Sequence, residues 1–437
     1  MNWFYLEIKE LQMSDIRYIA QAKKVAQIET VVVGGTISAG LTFKIRMGNS
    51  VIGFIDIASF LTTTTVIADV VAGLVTAFNL TDHPYKNGLI TATDASPNVV
   101  LTSDEPGLPF EVSLNTPGGS ATFSTSTTTA NAGPEDASGI DNYSNRALPT
   151  SSDKLIFKDG KSNVLFGLEA ITGLNKFEHH ASYTGIIGLD YSRFWNGVSY
   201  DDTVPEYRKT YFKTTLSGSG PRADIGVNLG VGTPTNSKRM CLHFLGTAIT
   251  IKVHSVAATS YDANRPAVRL LTRNDGQDAI VEIEQSSGGV GIGYEVPGEL
   301  CQVDFIRVAN DPQNNVFVGP GVDWDELYFD NGFGIIHQRT AVSAVRCDVN
   351  GGNVEFHGSG WTITTNNFNG GNILDCSSGS TNLTTVNLNG ASYDARGSVN
   401  SKTIGTLVYG SGTVKGTADT LAINNFEFSE SASGGFG

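Results

Sequence analysis

NNFNGGNILDCSSGSTNLTTVNLNGASYDARGS, residues 366–398, nearly repeats itself. Asn369-Gly370 returns as Asn389-Gly390, and the residues before each pair are alike in kind. With the first glycine of each turn as a marker, Gly351, Gly370, Gly390 and Gly410 are spaced by 19, 20 and 20, and Glu430 takes the next position. Two residues before each marker stand Val349, Phe368, Leu388, Val408 and Phe428, all apolar. Four before stand Cys347, Asn366, Val386, Thr406 and Phe426. Near seven before stand Ala344, Ile363, Leu383, Ile404 and Ile423. Three after come Val354, Ile373 and Tyr393, with Val414 one step late.

A spacing of two within a unit is the period of a strand. A longer spacing between units marks one supersecondary piece stacked on the next. Such pieces are too short to bury a face alone. Stacked, each apolar position lies over its counterpart and makes a continuous column. Gly and Asn suit the corners because left-handed backbone costs them least. The reading is a mainly β chain ending in a parallel, right-handed β-helix, a β-solenoid. An antiparallel β-sandwich with regular hairpins is the competing reading, since Asn-Gly is also a hairpin signal. Hairpin sheets rarely hold one apolar frame across five units.

Further back the repeat loosens into strands such as AITIKVHSV, AIVEIEQ and CQVDFIRVAN, read as larger coils with loops. The front is different. KVAQIETVVVGGTISAGLTFKIRMGNSVIGFIDI offers three strands with Gly turns. Ile67, Val71, Leu74 and Phe78 then share a helical face, which a threonine from Thr62 to Thr65 would cap. LITATDA, NVVLTSD, FEVSLNT and ATFSTST follow as short strands. The expected organisation is a leader or docking segment over 1–23, a small N-terminal α+β domain over 24–127 and a linker over 128–150. Broad first coils over 151–239 and the β-helix over 240–437 complete it, tight coils running from 340.

Composition limits the function classes. The 40% hydrophobic content of the 437 residues supports a packed core. Net charge is 29 − 43 = −14, so phosphate is repelled and nucleic acid is not an expected partner. No apolar run reaches the ~20 residues of a membrane helix, and Glu7, Lys9 and Glu10 sit where a secretory signal would need an apolar core. Cys241, Cys301, Cys347 and Cys376 lack metal or redox spacing and read as buried free thiols. No cofactor and no metal are expected.

β-Helices also carry polysaccharide chemistry, which needs paired carboxylates. Asp323 and Asp325 in GVDWDELYFDNG would share a strand face, with Trp324 opposite as a platform for a sugar. A solvated strand edge is the plainer reading. Asp201, Asp202, Glu206, Tyr207 and Arg208 form a second polar patch, read as a loop or a contact between protomers. His179 and His180 are adjacent and face opposite ways on a strand, while Cys241 and His243 alone do not make a zinc site. GGVGIG at 288–293 lacks a following helix and reads as a corner. Nothing assembles a nucleophile, base and orienter.

ATFSTSTTTANAGPEDAS closes a small unit whose helix reads TTVIADVVAGLVTAF, and together they resemble the N-terminal modules of structural proteins from tailed bacteriophages. The segment DKLIFKDGKSNVLFGLEAITGLNKFEHHASYTGIIGL and the coils WTITTNNFNGG and TNLTTVNLNGA extend the resemblance over most of the chain from Lys24. It implies a non-enzymatic virion component (a head or tail fibre, spike or capsid decoration). That component would be a homotrimer on the virion surface, docked to other virion proteins through its N-terminal domain and adhering to a host-surface glycan. The alternatives are a polysaccharide-binding or polysaccharide-degrading β-helix enzyme, and a filament subunit of a bacterial cell surface.

Overall fold

A computed structural model describes residues 14–209, 211–227, 240–256, 266–272, 279–293, 301–339, 343–358, 361–397, 400–417 and 420–429. Within them the chain is mainly β and builds a solenoid. One parallel ladder begins with Ser14–Arg17 beside Asp153–Phe157 and runs on to Leu421–Phe428. A second parallel ladder starts at Gly173–Leu174 beside Phe212–Leu216. From Phe212–Leu216 to Trp361–Phe368 each strand pairs with the strand two places along the chain, and the last strands, Thr381–Asp394, Lys402–Lys415 and Leu421–Phe428, stack in direct succession, so successive coils lie one above another.

The register confirms most of the frame read from the repeat. Ala344, Ile363, Leu383, Ile404 and Ile423 are successive partners. So are Val354, Ile373, Tyr393 and Val414. The inner column runs through Phe157, His179, Ile225, Val253, Ile283, Val308, Phe329, Val349, Phe368 and Leu388. It then passes to Tyr409 and Phe428, and Val408 is not in it: Val408 pairs with Asn387 on the other face. The reason is the turn glycine. Asn389 pairs with Ser411, and the left-handed residue is Gly412 (φ +116°), so Gly410 is an extra residue before the corner. The corresponding glycines are Gly352, Gly371 and Gly390, with φ of +76°, +78° and +99°. A Cβ on Gly371 would stand 2.5 Å from the Gly352 carbonyl oxygen, so stacked corners admit no side chain there.

A corner interrupts the strict alternation. The ladder skips Asp325, Val345, Thr364, Thr384, Gly405 and Asn424, so inward side chains come at Ile363, Asn366 and Phe368 rather than at every second residue. Asn366 is fully buried and donates from Nδ2 to the Thr385 carbonyl at 3.0 Å. Outside, the corner asparagines form their own ladder. Asn331 donates to Asn310 (3.0 Å), Asn350 to Asp330 (2.7 Å), Asn369 to Asn350 (2.9 Å) and Asn389 to Asn369 (3.4 Å). The polar wording of the repeat is therefore a file of asparagine amides donating to side-chain oxygens one coil back along the stack.

Between Ile28 and Thr129 lie two antiparallel sheets and the helix Ile67–Leu80. Val70, Val71, Leu74 and Phe78 bury its inner face, but its N-cap is Val66 and no threonine side chain caps it. This core continues into Leu165, Phe166, Leu189, Phe194, Trp195 and Tyr207, so the segment from 165 to 207 packs as much on the antiparallel sheets as on the coils. Residues expected in a leader and a linker close the first coil. Ile16 and Tyr18 pack with Ala137 and Tyr143 in the solenoid core, and Tyr143 donates to the Ala137 carbonyl at 2.6 Å. Residues 1–13 lie outside the described part.

Candidate functional site

The acidic cluster at 323–326 does not form a sugar groove. Trp324 is fully buried in the solenoid core and donates from Nε1 to the His337 carbonyl at 2.9 Å. Asp323 is 8% exposed and held by Arg339 at 2.7 Å. Asp325 stands at the skipped corner position, so the two aspartates do not continue one alternating face. Burial, with repulsion from Asp323 and Glu326, raises the Asp325 carboxyl above its usual range.

The second patch is structural as well. Glu206 and Arg208 form a buried pair at 2.8 Å. Glu206 also accepts from the backbone N–H groups of Trp195, Tyr207 and Arg208. Arg208 donates to the carbonyls of Pro109 and Trp195 and lies over the Phe166 and Phe194 rings. With its donors committed, it ties the antiparallel unit to the segment around Trp195. Asp201 and Asp202, by contrast, lie at the surface. His179 sits in the inner column, where burial lowers it to about 4, while His180 bonds Glu178 at 2.6 Å.

A concavity lies between the antiparallel unit and the outer face of Phe212–Leu216 and Met240–Leu245. It encloses about 600 Å³. Lys213, His243 and Leu271 form its floor in successive register. Glu111, Glu169, Tyr191, Lys209 and Tyr211 stand around it. Burial is the main cause that raises the Glu111 carboxyl, and Glu169 adds to it against an opposing Lys209. His243 is pushed down to about 4, first by burial and then by Lys213, and its Nε2 is buried without a partner among the described residues. A carboxyl biased toward its neutral form near a second carboxylate, with tyrosines alongside, is chemistry suited to a polyhydroxylated ligand. Sequence reasoning missed this set because Glu111, Glu169 and His243 come from three distant segments. The buried Cys241–His243 pairing in period two was its one local signal.

No protein-family model, no characterised protein sequence and no solved structure matches the chain. The fold and the cleft thus define a β-solenoid protein with an antiparallel unit packed on its first coils.

Proposed function

We propose that this protein is a structural component of a tailed-bacteriophage particle, a fibre, spike or decoration built as a right-handed, trimeric β-helix. The antiparallel sheets with their helix are its attachment domain, and the stacked coils project as a stiff shaft. The observation that carries the reading is the contrast between the two ends of the stack. The first coil is covered by the chain's own residues around Tyr18 and Tyr143. Among the described residues, the last strand, Leu421–Phe428, leaves Ile423 and Phe426 exposed, the latter at 52%. An apolar parallel edge in water invites pairing with another chain, and three chains meeting there would bury it. Several weak contacts held on one shaft also gain avidity.

Light scattering with negative-stain electron microscopy tests this reading. A mass three times 46.3 kDa in elongated particles is expected, with Phe426→Ser/Phe428→Ser dissociating them. A compact monomer that those substitutions leave unchanged would overturn it. The cleft favours a second reading, binding or cleavage of a surface polysaccharide. Loss of glycan turnover in Glu111→Gln and Glu169→Gln would establish it, and a wild-type chain inert toward capsular and lipopolysaccharide glycans would remove it.

A further inference from the structure

We propose that Glu355, His357 and Cys376 form a binding site for a divalent cation of the zinc class on the outer face of the solenoid. The proposal departs from the sequence expectation of no metal and does not depend on the functional reading above. In the strand Asn353–His357, Val354 and Phe356 point into the core, while Glu355 and His357 face outward, half-buried. One coil on, the backbone N–H of Cys376 donates to the Phe356 carbonyl at 2.8 Å, which continues the pairing of Phe356 with Asp375. Cys376 therefore stands beside His357. One coil back, His337 is the register partner of His357. Three consecutive coils thus place His337, His357 and Cys376 in one file.

The ligating atoms of Glu355, His357 and Cys376 all lie within 4.8 Å of one another. Tetrahedral zinc, with bonds of about 2.0–2.3 Å, sets its ligand atoms roughly 3.3–3.8 Å apart. Small side-chain rotations close that difference, and Glu355 Oε2 is already 3.0 Å from His357 Nε2. His337 supplies a second observation. Its ring stacks on His357 at 5.3 Å, and its Nδ1 is buried with no hydrogen-bond partner among the described residues. His337 stands outside the trio whose ligand atoms converge, so it borders the site, and a solvent molecule would take the ion's fourth position.

A thiolate with imidazole selects zinc-class cations over magnesium or calcium, which prefer oxygen ligands. Binding deprotonates the Cys376 thiol and releases that proton to solvent, without electron transfer. The bound ion would clip successive coils together on the outside, where the core does not reach.

Cobalt(II) is the probe. The full-length chain, stripped with chelator and dialysed, is titrated with Co²⁺. The expected result is a thiolate-to-cobalt charge-transfer band and the intense visible bands of a tetrahedral site, both displaced by Zn²⁺. Cys376→Ser should abolish the charge-transfer band. His357→Ala should weaken binding by more than the roughly 10–100-fold cost of losing an outer partner. Zn²⁺ should raise the melting temperature of the wild type and not that of Cys376→Ser, with circular dichroism verifying that the variant folds. Absence of the charge-transfer band in the wild type, or its persistence in Cys376→Ser, would overturn the assignment.

Discussion

Lys402 and Asp375 offer a sharp test of the C-terminal coils. Each is 1% exposed, and their charged atoms are 3.4 Å apart. Lys402 also donates to the carbonyls of Ser377 and Gly379 and to the hydroxyls of Ser377 and Thr381. Asp375 accepts from Ser377 Oγ and from Tyr393 OH. The network joins the coil ending at Asp375 to the strand Lys402–Lys415. At an effective dielectric constant of about 20, unit charges at this separation interact by ~5 kcal/mol. Removing one partner of such a buried pair costs about 3–5 kcal/mol, because the other charge is left uncompensated. Lys402→Met and Asp375→Asn should each destabilise the C-terminal coils by that amount. The double variant should cost about 3 kcal/mol less than the two singles added, since neither charge then remains. A stacked protein unravels locally, so hydrogen exchange at the amides of 381–388 is the suitable assay. Single variants costing under ~1 kcal/mol, or costs that simply add, would refute the buried pair and the coil register that creates it.

Trp324→Ala should destabilise the chain by ~3–5 kcal/mol in urea unfolding, as for other buried aromatic truncations, whereas Asp325→Ala should leave any glycan activity unchanged. Gly412→Ala should cost more stability than Gly410→Ala: Gly412 has φ +116° and a Cβ there would lie 2.3 Å from the Ala391 carbonyl oxygen, whereas at Gly410 it meets the Asn389 side chain. Acid should weaken the fold through His179 and His243, both lowered to about 4. The unfolded chain protonates near pH 6.5 and the folded one only near 4. Stability is therefore complete above pH 6.5 and falls between 6.5 and 4 by up to ~3 kcal/mol for each imidazole. Melting temperatures across that range should show the drop, and His179→Gln should flatten it.

The repeat was legible because each coil must present aliphatic or aromatic side chains at the same stations, and Val349, Phe368 and Leu388 do so in plain spacing. Val408 was misplaced because Gly410 looks like a turn glycine, and only the conformation at Gly412 reveals the true corner. Trp324 was read as exposed because alternation alone does not show where a strand turns a corner; once Asp325 takes the corner, Trp324 points inward. Glu111, Glu169 and His243 carried no joint signal, since distant segments bring them together. Glu355, His357 and Cys376 were hidden for a related reason. Their spacing is that of the coil, not of a metal motif, and 19 residues separate His357 from Cys376. A search at the coil period would have found the pair.

The central claim is that the coils stack in register along one axis. Glu282, Arg307, Tyr328, Asp348, Asn367, Asn387, Val408 and Glu427 are successive register partners. With Cys376 replaced by serine, spin labels at Glu282→Cys and Asn367→Cys span four coils, and labels at Glu282→Cys and Glu427→Cys span seven. At ~4.8 Å per coil, pulsed electron resonance should give mean separations of about 19 Å and about 34 Å, widened by the label arms. Two separations that are equal, or a shorter one for the seven-coil pair, would contradict the stack.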